Sequence, residues 1–365
     1  MADGSPGWGE PAPFFTAVTD GVPNYSIQVA AGRWMVLMVL GSLANPTCAD
    51  AHAQVVRRRA LFDDVDALFF GVTIDPADRL ERGLGNSEPG LRYFWDLDRT
   101  VCGVLGVIDT DYLRPTVFLI DRQFRIAARA PIEATGAVLD QLEAARREEA
   151  STAAASFPPV LIAPRIFEPD FCTALLDHFA GQTAAESGFA IDIDGRTVTH
   201  VAAHLKRRED VTLSDPALLD GVMERLERRL LPLIERAYGW RPTEIERFLI
   251  CRYSEGNQGF FSAHRDNVTA GTAHRKFAVS INLNAEDYAG GDIRFPEFSR
   301  QTFRPPTGGA AVFACGLLHE VTPVTAGARF TFVPFLYDDA GARRRAENAG
   351  RVEGEMTPGR RFAAA

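Results

Sequence analysis

The chain contains no apolar run longer than the seven residues from Trp34 to Leu40. A membrane-spanning helix needs roughly 20, so no such span is expected. Lysine is nearly absent: Lys206 and Lys276 are the only two, and arginine supplies the rest of the 39 basic side chains. There is no positive excess either, because 48 acidic residues give a formal charge of -9. That balance excludes a nucleic-acid or anionic-membrane binder acting through bulk charge. Cysteine is sparse and unpaired in pattern, with Cys48, Cys102, Cys172, Cys251 and Cys315 forming an odd set that lacks any CxxC spacing. Reduced thiols in a cytoplasm fit this better than a disulfide framework. Met1 to Pro13 is rich in Gly and Pro and lacks a basic start followed by an apolar core, so a secretory signal is not expected.

What is present suffices for folded cores: 46% hydrophobic and 24% charged residues over 365 positions, which is room for two domains. The clearest boundary follows Arg146, where a charged helix end runs into Ser151-Thr-Ala-Ala-Ala-Ser156 and then Phe157-Pro158-Pro159. Small polar residues followed by two prolines cannot continue a helix. The expected division is a first domain over 1–148, a linker over 149–159, a second domain over 160–339 and a flexible, arginine-rich tail over 340–365.

In the first domain, strand-like runs at Trp34 to Leu40, Ala67 to Ile74 and Thr116 to Ile120 alternate with helical patterns at Pro46 to Leu61 and Glu133 to Arg147. Continuous apolar strands separated by helices predict a buried α/β sheet. In the second domain helical stretches at Pro169 to Phe179 and Pro216 to Tyr238 come first. Short strand-like runs punctuated by Gly290-Gly291, Pro305-Pro306 and Gly308-Gly309 then fill Glu246 to Tyr337. That order predicts a jelly-roll barrel supported by helices.

The chemistry-bearing constellation lies in the second domain. Residues i and i+2 of a strand share a face, so His264 and Asp266 can present an imidazole and a carboxylate together, with His319 supplied from a neighbouring strand. Two histidines and one carboxylate leave open positions on a metal, as in non-haem Fe(II) oxygenases, whereas a structural zinc site closes its shell. Ten residues after His319, Arg329 and Thr331 alternate onto one strand face. A guanidinium donating two parallel hydrogen bonds, joined by a hydroxyl, clamps a carboxylate well, which points to a dicarboxylate co-substrate. His178, His200, His204 and His274 read as surface or packing residues, and Cys315 as a small buried hydrophobe.

Taken together, Arg252-Tyr253, His264-x-Asp266, Gly290-Gly291-Asp292-Ile293-Arg294-Phe295-Pro296, His319-Glu320-Val321 and Arg329-x-Thr331 resemble the Fe(II)- and 2-oxoglutarate-dependent dioxygenases of the prolyl 4-hydroxylase-like group. The resemblance covers about ninety residues. It implies a double-stranded β-helix of α+β class, Fe(II) held by His264, Asp266 and His319, and 2-oxoglutarate held by Arg329, Thr331 and Tyr253. With O2 these yield succinate, CO2 and an oxidised substrate, by default a hydroxylated C–H bond of an amino acid, peptide side chain or related metabolite. Collagen-type members carry lysine at the position of Arg329, so this chain looks nearer to the arginine-bearing members. Lys206, Arg207 and Arg208 read either as a carboxylate or phosphate anchor or as a solvated charge run.

The first domain resembles the peroxiredoxin branch of the thioredoxin fold through the strand Trp34 to Leu40, Cys48, and Arg114-Pro115-Thr116-Val117-Phe118-Leu119-Ile120-Asp121. Asn45 as N-cap and Pro46 as first helical residue put Cys48 in a first turn, where backbone amides favour thiolate. Arg114 matches the arginine that in peroxiredoxins polarises the peroxide. The peroxiredoxin loop has a hydroxyl residue and a proline where this chain has Asn45 and Gly41, and Cys102 sits in an apolar setting. The reading is therefore a 2-oxoglutarate-dependent hydroxylase with a thioredoxin-like domain for assembly or docking, which inclines toward a homodimer. A thiol peroxidase acting through Cys48 with the barrel as accessory, and a non-catalytic interaction protein, are the alternatives.

Overall fold

The computed structural model describes residues 5–87, 89–109, 112–151, 157–354 and 359–363. It divides into two compact units, Met1–Phe157 with Pro296–Ser299, and Pro158–Phe295 with Arg300–Ala365.

In the first unit the apolar run becomes the strand Trp34–Gly41, buried at every position after Trp34. It pairs in parallel with Ala67–Thr73, itself wholly buried, and antiparallel with Thr116–Ile120. These are the central strands of a seven-stranded mixed sheet, whose outer members are Leu91–Trp95, Thr16–Thr19 and Val22–Ser26 on one side and Ile126–Pro131 on the other. Burial on both faces is why these strands read as continuous rather than alternating hydrophobic runs. The helices Pro46–Arg57 and Thr135–Ser151 pack on one face, where Cys48, Val55, Leu139 and Leu142 share a core with Val36, Met38 and Val117. Side chains on the alternate face stack with one another, Phe70 against Phe94 at 4.9 Å. The Asn45 side chain accepts from Thr47 N–H, and Pro46 opens the helix as its spacing implies. The helix Thr135–Ser151 carries residues 149–151, which the sequence places in a linker, and 152–156 lie outside the described residues.

The second unit is built on two sheets. The larger has its central path through Leu249–Ser254, Val324–Phe332, Phe277–Asn282, Phe335–Tyr337 and Glu244–Glu246. The smaller runs Lys206–Arg207, Phe260–His264, His319–Val321, Ile293–Arg294 and Thr302–Phe303. Helices Pro169–Ala180, Pro216–Arg225 and Leu231–Tyr238 bury Leu175, Val222, Leu226, Leu230 and Ile234 against Ile250, Ile281 and Phe332 of the larger sheet. The stretch expected as one helix over 216–238 is interrupted by a π-helical turn at Leu226–Leu230, which ends two residues before Pro232, a residue that lacks the N–H a regular helix needs there.

Residues 340–365 are not a flexible tail where described. Asp339–Asn348 forms a helix capped by Asp338, and Gly359–Arg361 adds a strand to Glu244–Glu246. The arginines that looked like solvating charge are ion-pair partners: Arg345 to Glu246 (3.1 Å), Arg360 to Asp220 (2.9 Å) and Arg361 to Glu244 (3.0 Å). Phe362 is buried behind them. Composition predicts solvation only when the opposite charges are not waiting elsewhere in the fold. Among the described residues no helix is long and apolar enough to cross a membrane.

Candidate metal centre

The two histidines come together through strand register. His264 ends the strand Phe260–His264 and lies opposite His319, first residue of His319–Val321, in an antiparallel pair. A bulge between Phe261 and His264 sets that alignment, and bulges re-aim side chains in this way. Asp266 is not on the strand, contrary to the expectation from its i+2 spacing to His264; the chain has left the sheet, and the Asp266 N–H donates to the Cys315 carbonyl at 2.9 Å. The three donors still converge. Asp266 Oδ1 is 3.4 Å from His264 Nε2, Asp266 Oδ2 is 3.4 Å from His319 Nε2, and all three ligand atoms lie within 4.8 Å of one another.

Each imidazole is oriented by its other nitrogen. His264 Nδ1 is 2.8 Å from the Ser262 carbonyl and His319 Nδ1 is 3.1 Å from the Leu317 carbonyl. Only a protonated Nδ1 can donate to a carbonyl, and in the neutral ring that leaves Nε2 its lone pair for the cluster. Burial pulls His319 down to about 4, with His264 adding to it against the pull of Asp266. Burial pushes the Asp266 carboxyl up, but His319 and His264 beside it outweigh that and hold the group well below the usual carboxylate range. Two imidazoles and one carboxylate make a set suited to a divalent cation with open coordination positions.

The larger sheet supplies the second part. Arg329 faces Tyr253 across antiparallel strands, its guanidinium carbon 5.4 Å from the ring centroid. Although only 2% exposed, it pairs with no carboxylate among the described residues. Its Nε reaches Asn282 Oδ1 (3.3 Å) and its Nη2 donates to Ser280 Oγ (2.9 Å), while Nη1 is buried without a partner. Thr331 Oγ1 lies 2.9 Å from the same Ser280 hydroxyl and donates to the Ile281 carbonyl at 3.0 Å. The Tyr288 hydroxyl is also buried without a partner. The glycine pair makes room for this arrangement: at Gly291, φ is +67°, and a Cβ would lie 2.8 Å from Val324 Cγ2 and 3.3 Å from Arg329 Cδ. A buried guanidinium with a free donor and no counter-charge is a cradle for a carboxylate.

Ser280, Asn282 and Tyr288 escaped the sequence reading. The signal was available in Phe277-Ala-Val-Ser-Ile-Asn282, where polar residues alternate inside an apolar strand. Lys206 and Arg208 are buried, so the solvated-run reading holds only for Arg207, which donates to the Asn257 carbonyl. His274 is buried against Glu246, while His200 and His204 are exposed.

In the first unit Cys48 occupies the first helical turn as expected, but it is fully buried and its thiol is pushed up to about 11 by burial, then by Glu133 and Asp78. The helix dipole does not prevail against desolvation and two carboxylates. Arg114 donates to the Gly106 carbonyl at 3.1 Å. Burial likewise raises Cys102, with Asp96 adding to it.

Comparison with known proteins agrees with this geometry. Residues 248–337 match the 2OG-Fe(II) oxygenase superfamily and residues 8–129 the AhpC/TSA family. A PKHD-type hydroxylase of Hyphomonas neptunium is 29% identical over 39% of this chain and 66% of its own. One of Shewanella oneidensis is 30% identical over 42% of this chain and 71% of its own. The chain thus spans about two thirds of the length of the curated relatives it matches. A Pseudomonas putida prolyl-4-hydroxylase structure is similar at 16% identity, covering 53% of this chain and 98% of that one, with a TM-score of 0.37. The chain belongs to the 2OG-Fe(II) oxygenase superfamily, its C-terminal oxygenase domain fused to an N-terminal domain of the AhpC/TSA family.

Proposed function

We propose that the protein is an Fe(II)- and 2-oxoglutarate-dependent hydroxylase of an amino acid, peptide side chain or related metabolite, releasing succinate and CO2. The observation that carries this reading is Arg329: a guanidinium 2% exposed, without a carboxylate partner among the described residues and with Nη1 unsatisfied, in the same unit as a His264, Asp266, His319 cluster. His264, Asp266 and His319 would hold the metal, each imidazole fixed by the carbonyl behind it. Arg329 and Thr331 would hold the distal carboxylate of the co-substrate, with Tyr253 and Tyr288 walling the same space. The metal and co-substrate, when bound, supply the oxidising chemistry. The protein's part is then to orient the two carboxylates of one small molecule, to keep water from the buried guanidinium, and to present the substrate's C–H bond. No side chain is required as a general base.

The first domain is proposed as a structural or docking module, because burial, Glu133 and Asp78 together outweigh the helix position that would favour a Cys48 thiolate. The test is anaerobic: Fe(II) and 2-oxoglutarate are added to purified protein and the weak visible charge-transfer band of the chelate is sought. A band that is lost in His319→Ala and weakened in Arg329→Ala supports the reading. No band in folded wild-type protein overturns it.

A further inference from the structure

A second group of cations lies beside this site, and the hydroxylase reading leaves it unused. Lys206 and Arg208 are 2% and 5% exposed, although they flank an outward-facing Arg207. The Lys206 ammonium donates to Ser187 Oγ (2.7 Å) and to the Gly188 carbonyl (2.6 Å). It also sits 4.6 Å over the Phe261 ring, which in turn stacks on the imidazole of His264 at 3.5 Å. Arg208 donates to Ser187 Oγ (2.8 Å) and to Asp210 Oδ2 (2.7 Å), and its Nη1 lies 3.5 Å from the Tyr253 hydroxyl. That same Tyr253 ring bears on Arg329. Arg247 adds a third cation 3.7 Å from Asp210.

Arg208 and Arg247 therefore share the Asp210 carboxylate, and Lys206 reaches it only through Ser187. The neighbouring outward pair on the same strands, Arg252 with Glu209, is matched one to one at 2.9 Å, so the imbalance is confined to the inner face. Unmatched buried charge is costly and persists where a counter-charge arrives from outside. Arg208 Nε is buried without a partner, as is Asp210 Oδ1, and burial, followed by Arg208 and Arg247, holds the Lys206 ammonium well below its ordinary range.

We infer that the molecule oxidised at this centre is an anion, whose carboxylate or phosphate is held by Arg208 and Lys206 while Arg329 holds the co-substrate. This rests on the hydroxylase reading above. The same cations would otherwise serve the co-substrate's own carboxylate, and the experiment separates the two. Full-length protein is loaded with Zn(II) and saturating 2-oxoglutarate, and saturation-transfer NMR is recorded with N-acetylglycine and with its neutral amide, N-acetylglycinamide. The expected result is transfer to the acid and not to the amide, displacement of the acid by inorganic phosphate, and weakening by about tenfold or more in Lys206→Met, with 2-oxoglutarate affinity unchanged. Arg208→Lys, which keeps the charge but not the fork, is expected to retain part of the acid binding.

Equal signals from acid and amide overturn the inference, as does acid binding unaltered in a folded Lys206→Met. A fall in 2-oxoglutarate affinity in that variant assigns the cations to the co-substrate and overturns it as well. The wild-type comparison needs no variant to fold. Failure of wild-type protein to take up 2-oxoglutarate is seen before any probe is added and removes the hydroxylase reading, and this one with it.

Discussion

His264 and His319 stand directly opposite each other across two antiparallel strands, and the one-residue bulge after Phe261 is what brings them level. Without the bulge the side chain at 264 would turn to the other face, since strand faces alternate with a period of two. Asp266 then closes the triangle from outside the sheet, pinned by its N–H to Cys315. The cluster thus depends on register as much as on ligand identity. Replacing Asp266 by Ala is expected to lower metal affinity by about 10- to 100-fold or more, while the fold, measured by its thermal midpoint, is retained. Titration with Fe(II) under anaerobic conditions, or with Mn(II), checks this, and unchanged affinity would remove Asp266 from the ligand set.

Arg329 is buried among Ser280, Asn282 and Tyr253 and has one donor to spare. Lysine at this position keeps the charge but presents no planar fork. Arg329→Lys is expected to weaken 2-oxoglutarate binding by about tenfold, and Arg329→Gln by a further factor of about ten, from the loss of a charge-assisted pair. The anaerobic chelate band, titrated with 2-oxoglutarate, measures both. Equal affinities in all three proteins would place the carboxylate elsewhere.

Gly291 serves the same side chain from behind. Its φ of +67° disfavours any residue with a Cβ, and that atom would press on Val324 and on Arg329 Cδ. Gly291→Ala is expected to cost about 1 to 3 kcal/mol of stability and to raise the 2-oxoglutarate concentration for half-saturation. If thermal unfolding and saturation are both unchanged, the glycine has no such role.

Much of this was legible before any coordinates. His264, Asp266, His319 and Arg329 declare themselves because ligand chemistry restricts residue type, and the continuous apolar strands Trp34–Gly41 and Ala67–Thr73 because burial on both faces does. What sequence could not supply was anything decided by partners distant in the chain. The arginines of 340–361 look solvated until Glu246, Asp220 and Glu244 are found opposite them. Lys206 and Arg208 look like a charge run until Ser187 and Asp210 are found beneath them. Cys48 has the helix position of a reactive thiol, and only its neighbours Glu133 and Asp78 show why burial is not offset.

That setting makes the thiol testable. With its ordinary value of 9.0 raised to about 11, Cys48 stays protonated through pH 9 and is buried besides. Alkylation by iodoacetamide in the native protein is expected to be slower than for a free thiol by about 100-fold or more at pH 8, since only thiolate reacts. Cys48→Ser is expected to leave succinate formation within about twofold. Rapid labelling at neutral pH, or loss of oxygenase turnover in the variant, would return the first domain to redox chemistry.

The last expectation concerns acid. Glu246 is buried under Arg275 (2.7 Å), His274 (3.0 Å) and Arg345 (3.1 Å), and so joins the strand Glu244–Glu246 to the helix Asp339–Asn348. Burial pushes its carboxyl up, but His274 and Arg275 outweigh it and bring it from 4.5 down to about 2. A depressed carboxyl contributes stability that is complete above its unfolded value and is lost as pH falls through the folded one. The window is therefore pH 4.5 to 2, and the contribution is of the order of 3 kcal/mol. In Glu246→Gln that contribution is absent at every pH, and Arg275 and Arg345 are left without their charge, so the variant is expected to be less stable than wild type at pH 7 and to converge with it toward pH 2. Denaturant unfolding of both proteins across that range measures the difference. A constant gap from pH 7 to pH 2 would show that Glu246 does not titrate with folding.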